Sequence, residues 1–258
     1  MSTIKSYLKF LYNSKNEHGV HSPFVFDLIT KCFYDKTKFA EYFILKKYRK
    51  SLLENSNIIE VNDFGSGSKV FKSNKRKIAH IAKVAGISSK RAELLLRIVK
   101  YFQPNEILEI GTSLGLATTA LSLGNPNSKI TSLEGCPNSL LIAKNQCRLQ
   151  NLNNIEFVNT EFSDFLNNSQ LSAYNYQLIY FDGNHSKKAT LDYFELLLPT
   201  ISNDSIWIFD DIHWNTAMEE TWEIIKNHSK VTVTIDTFQW GIVFFRTEQA
   251  KQHFVVRV

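Results

Sequence analysis

Glu109-Ile110-Gly111-Thr112-Ser113-Leu114-Gly115 is the stretch that decides the reading of this chain. It follows the apolar run Ile107-Leu108-Glu109-Ile110 and leads into a helical stretch, Leu116 to Leu123, so it reads as a strand turning into a helix. Glycine lets such a turn be tight and lets a ligand approach the backbone. In an open α/β sheet, the crevice at the strand's carboxyl end is where ligands bind. A dinucleotide would want Gly-x-Gly-x-x-Gly, with helix amides meeting the pyrophosphate. Here Ser113 stands where the second glycine would be, and Glu109 would repel a pyrophosphate. A ligand carrying amino and sulfonium groups is positive, and an acid at this place favours it.

Outward from the loop, apolar runs alternate with helical stretches. Lys129 to Glu134, Ile155 to Val158, Gln177 to Asp182 and Ser205 to Asp210 are strand-like; Pro137 to Leu149, Lys187 to Leu198 and Trp214 to Asn227 are helical. This alternation predicts a doubly wound, mostly parallel sheet. Val231 to Thr237 and Gly241 to Arg246 have three residues between them, which permits a hairpin and no crossover helix. The expectation is an α/β fold with a seven-stranded sheet, a final antiparallel strand and an N-terminal helical extension. The helical extension is placed at residues 1–86, as a lid over the acceptor or a dimer contact, and the ligand-binding domain at 87–258. Within the extension, Ser22-Pro23 starts a helix through Phe33, and Tyr42 to Leu53 is another. Asp63 to Ser68 reads as a loop or hinge. A further helix over Ile87 to Phe102 has Ser88 or Ser89 as its cap and stops at Gln103-Pro104-Asn105.

Glu109 to Gly115 resembles the first motif of class I S-adenosylmethionine-dependent methyltransferases, and its Glu-Ile-Gly-Thr-Ser form is similar to the catechol and caffeoyl-CoA type O-methyltransferases. The likeness covers roughly residues 88 to 246. Before residue 85, His18-Gly19-Val20-His21-Ser22-Pro23-Phe24 resembles uncharacterised bacterial members of the same superfamily. The resemblance implies that Glu109, Gly111, Ser113 and Gly115 frame the methionine part of S-adenosylmethionine and that Glu134 takes the ribose hydroxyls. It also implies that Glu161 and the backbone of Phe162 meet the adenine. Glu161 stands where an Asp is more usual.

Asp182 ends the fourth strand of the ligand-binding domain and Asp210-Asp211 the fifth. Carboxylates brought together need a cation, a shared proton or solvent, and oxygen ligands on an open site suit Mg²⁺. Metal-dependent O-methyltransferases carry an Asp and an Asp-Asn pair at these places; here Asp211 replaces the Asn and adds a negative charge. The alternative has Asp182 on the cofactor's ammonium, and Asp210-Asp211 capping the next helix or working as acid or base without metal. Where the catechol enzymes have a Lys, this chain has His185, the candidate base, with Lys187 and Lys188 as stand-ins. His213 and Trp214 are expected at the acceptor pocket or in packing.

Composition limits the rest. The chain has 258 residues, 43% hydrophobic and 21% charged, enough to bury a core. A net charge of +5 is too small to argue for nucleic acid. Ten basic residues from Lys69 to Lys100 face a single acid, Glu93, and read as a solvated helix face or a surface for an acidic partner. Three cysteines without metal-like spacing read as reduced thiols of a cytoplasmic protein. No apolar stretch approaches the roughly 20 residues of a membrane span, and no secretory signal is expected. The leading expectation is O-methylation of a small molecule, by a chain that could form a homodimer. The alternatives are methylation of RNA or protein, an NAD-linked oxidoreductase, and a non-catalytic cofactor-binding protein.

Overall fold

The computed structural model describes residues 3–62, 73–167 and 175–258. Asp63 to Ser68, with Lys69 and Lys72, lies outside the described residues. The chain packs as two compact units, one of Asp35–Phe162 and one of Met1–Tyr34 with Ser163–Val258. The N-terminal residues are thus shared between the two.

In the first unit, three strands run parallel in the order β3-β4-β5: β3 (Glu106–Ile110), β4 (Lys129–Glu134) and β5 (Ile155–Asn159). Ile107, Leu108, Ile110, Ile130 and Leu133 are fully buried, as expected of parallel strands covered on both faces. Helix α5 (Ser89–Phe102) begins where Ser88 accepts a hydrogen bond from the Arg91 amide at 3.3 Å. It ends at Gln103, whose φ of 49° is left-handed. It packs on α6 (Leu116–Gly124) so closely that a Cβ on Gly124 would fall 2.5 Å from Val99 Cβ. Helices α3 (Glu41–Leu53), α4 (Ile78–Val84) and α7 (Pro137–Leu149) complete the unit with a small hairpin, β1 (Ile58–Glu60) and β2 (Lys75–Lys77). That hairpin is not expected from a Lys-Arg-Lys sequence of low β-propensity.

The second unit has the order β10-β8-β9-β7-β6, from β6 (Leu178–Phe181), β7 (Ile206–Asp210), β8 (Val233–Asp236), β9 (Trp240–Phe244) and β10 (Gln252–Val255). Strand β9 is antiparallel to both β7 and β8, which is the expected closing hairpin. Strand β10 adds an eighth strand, parallel to β8. Helices α9 (Lys187–Leu197) and α10 (Thr216–Asn227) follow β6 and β7. The core is aromatic: Trp207, Phe209, Phe244 and Trp240 are all buried. A Cβ on Gly241 would strike the Trp222 ring of α10 at 2.5 Å. Helix α1 (Thr3–Asn13) joins through Tyr7 and Phe10 on Phe238. Helix α2 (Pro23–Leu28), capped by Ser22, continues into a π turn at Ile29–Phe33.

Strands β3 to β10 make up a mostly parallel eight-stranded sheet flanked by helices, the expected α/β architecture with one strand more than the seven expected. Among the described residues no helix is long and apolar enough to cross a membrane.

Candidate active site

The loop after β3 holds two left-handed glycines, Gly111 at φ 109° and Gly115 at φ 79°, with Ser113 between them at φ 49°. A non-glycine residue in this region is strained and persists only where its surroundings fix it. Here they do. The amides of Gly111 and Thr112 both donate to the Leu133 carbonyl at 3.0 Å, and the Gly115 amide donates to the Thr112 carbonyl at 2.8 Å. The Ser113 amide donates to Glu134 Oε2 at 2.7 Å, and the Cys136 amide to Glu134 Oε1 at 2.9 Å. A carboxylate offers about four lone-pair sites, and two of those on Glu134 are taken by backbone amides. It is half-buried at the end of β4.

Glu109 is fully enclosed. Its Oε2 accepts from Ser132 Oγ and Thr118 Oγ1, each at 2.5 Å, while Oε1 is buried with no hydrogen-bond partner among the described residues. Burial raises its carboxyl to about 7, against the lowering effect of the two hydroxyls; nearby Glu134 adds to the rise. Near neutral pH Glu109 is therefore poised between acid and carboxylate. Glu161 is exposed and Phe162 half-buried, directly after β5. The Thr160 amide there donates to the Glu134 carbonyl at 3.1 Å.

In the other unit, Phe181 and Phe209 are paired in register and their rings stack at 4.2 Å, so Asp182 and Asp210 follow at the carboxyl ends of adjacent strands. His185 Nε2 lies 3.7 Å from Asp182 Oδ1. Asn184, with φ 52°, and Ser186 flank His185 and line a cavity of about 680 Å³ with Ser163, Asn167, Asp192 and Tyr193. Lys187 and Lys188 pair with Glu220 and Asp192 on the surface. Asp210 is buried and Asp211 has φ 54°, its carbonyl accepting from the Trp214 amide at 2.9 Å. Among the described residues no group of three or more His, Cys, Asp and Glu side chains comes together as a metal ion would need. Asp182, Asp210 and Asp211 as placed do not gather into a three-carboxylate metal site. Trp214 is 39% exposed. His213 is clamped: its Nε2 is 2.9 Å from Asp236 and its Nδ1 3.3 Å from Glu219, with the Phe238 ring stacked on it. Burial works against its charge, but the two carboxylates outweigh that and its pKa is raised.

Residues 108–212 match the family model described as a methyltransferase domain. No curated protein matches by sequence. The fold is similar to the SAH-bound Podospora anserina methyltransferase PaMTH1 (TM-score 0.59, 12% identity, 88% of this chain and 97% of that one). It is also similar to an O-methyltransferase from Bacillus cereus in complex with SAH (0.56, 16%, 82% and 92%). A third similar structure is the O-methyltransferase TomG from Streptomyces achromogenes, involved in tomaymycin synthesis, in complex with SAM (0.57, 12%, 81% and 91%).

Proposed function

We propose that this chain, of which residues 108–212 match a methyltransferase domain, transfers a methyl group from S-adenosylmethionine to an oxygen of a small molecule in the cytoplasm. The observation that carries the reading is Glu134, pinned by two backbone amides beside a loop with left-handed residues at 111, 113 and 115. A ribose needs such an acceptor, and a positive methionine moiety needs the absence of the amide cradle a phosphate would demand.

The donor, when bound, supplies an electrophilic methyl on a sulfonium. The chain's own part is to hold and orient. Gly111, Ser113 and Gly115 shape the turn for the methionine part. Glu109 supports that turn from beneath through Ser132 and Thr118. Glu134 accepts the ribose hydroxyls, and Glu161 with the Phe162 backbone takes the adenine. His185, steadied by Asp182, removes the acceptor's proton. A cavity of about 680 Å³ beside His185 supports a small-molecule acceptor. Three buried free thiols, Cys32, Cys136 and Cys147, support the reducing compartment.

Calorimetry with S-adenosylhomocysteine, with and without Mg²⁺, tests the reading. Saturable binding is expected in both conditions. A wild-type chain that binds no S-adenosylhomocysteine overturns it.

A further inference from the structure

Tyr48 lies on α3, outside the residues that match the methyltransferase model. It is fully buried. Its hydroxyl donates to the Leu114 carbonyl at 2.8 Å, in the middle of the glycine loop. The same hydroxyl sits where a Cβ on Gly115 would be, so no side chain other than glycine's fits opposite it. It also lies 3.8 Å from Cys147 Sγ on α7. Burial pushes the phenol far above its ordinary pKa and the Cys147 thiol up to about 11, so both stay neutral and act as hydrogen-bonding and packing groups.

The loop needs such a tie. Ser113 and Gly115 are both left-handed, and Leu114 between them is buried. The amides of Ser113 and Gly115 are fixed by Glu134 and Thr112. The Leu114 carbonyl points the other way and is met by Tyr48. A buried carbonyl without a donor is unfavourable, and the peptide could relieve that by rotating. Rotation would carry the Ser113 and Gly115 backbone with it.

Resting on the S-adenosylmethionine reading above, we propose that Tyr48 is a positioning residue for the cofactor: an N-terminal helix sets the conformation of the glycine loop from beneath through one hydroxyl. The ring fills the core; the hydroxyl sets the affinity.

The test is calorimetric affinity for S-adenosylhomocysteine in the full chain, with Tyr48→Phe compared with Leu52→Ala. Leu52 is a fully buried residue of the same helix, and its truncation lowers stability through packing. Tyr48→Phe is expected to raise the Kd about tenfold, or ~1.4 kcal/mol, with the secondary structure unchanged by circular dichroism. Leu52→Ala, measured where it is folded, is expected to stay within about twofold of wild type. Equal affinity of wild type and Tyr48→Phe overturns the proposal alone. Equal weakening by both variants overturns it too, because stability and not loop position would then be the cause. A Tyr48→Phe chain that cannot fold beside a folded Leu52→Ala makes Tyr48 a core residue and has the same effect. Failure of the wild type to bind removes the cofactor reading and this proposal together.

Discussion

The turn after β3 and the turn after β6 are topological equals, each leading from a parallel strand into a helix, but they are built differently. The first is fastened along its length: Gly111, Thr112, Ser113, Leu114 and Gly115 each have a backbone group fixed by Leu133, Glu134, Tyr48 or Thr112. The second carries Asp182 and His185 at 3.7 Å, beyond hydrogen-bond length, beside a cavity. Catalytic contacts that are long without ligand tighten when one binds. The contrast fits a reaction with a constant donor and a variable acceptor. Under the proposed reading, a loop fastened before the donor arrives lowers the cost of binding it, and the looser turn serves the acceptor.

The comparison breaks most sharply at His185. With an acceptor in hand, His185→Ala is expected to lower kcat by about 10²–10⁴ and leave S-adenosylhomocysteine affinity within about twofold. Loss of affinity as well would mean that the second turn also serves the donor. At the first turn, Glu134→Ala removes a charged acceptor and releases the Ser113 and Cys136 amides. Its Kd for S-adenosylhomocysteine should rise at least 100-fold, from two charge-assisted hydrogen bonds at about 1.5–3 kcal/mol each; a change below threefold in calorimetry would leave Glu134 as a loop cap only.

A smaller effect concerns stability and pH. Glu109 is held at about 7, above its ordinary value of 4.5. Between those values the folded chain binds more protons than the unfolded one, so stability falls as pH rises. The favourable contribution is full below about pH 4.5 and lost as pH passes through about 7, a span of roughly 3 kcal/mol. Glu109→Gln should flatten the decline in Tm between pH 5 and 8, read by scanning calorimetry against wild type. An unchanged slope would place the titration elsewhere, with His213 the next group to replace.

Legibility in the sequence followed the same divide. The glycine loop and the closing hairpin could be read because local rules govern them: left-handed turns favour glycine, and a three-residue link forces antiparallel strands. Ser88 and Ser22 as helix caps were local too, and both accept the expected amide. What escaped depends on partners distant in sequence. Nothing near Tyr48 signals that its hydroxyl meets residue 114. Nothing near His213 signals Asp236, which together with Glu219 clamps it. Strand β10 is four residues, Gln-His-Phe-Val, that pair only because β8 offers an edge. Three carboxylates at two strand ends look alike in a sequence, yet Asp211's left-handed backbone and the burial of Asp210 separate their surroundings.

The Lys15 amide donates to the Val255 carbonyl, and Tyr34 Oη donates to the Arg257 carbonyl. One unit is therefore stitched from two segments far apart in sequence, Met1–Tyr34 and Ser163–Val258, while Asp35–Phe162 is continuous. On a ribosome adding about 5–20 residues per second, α1 and α2 wait on the order of ten seconds for the strands they pack against, whereas the glycine loop and its Tyr48 brace belong to one continuous segment. Folding order is thereby written into the chain. Asp35–Phe162 can pack once residue 162 has been made, while the unit bearing His185 waits for the strands between Val233 and Val255.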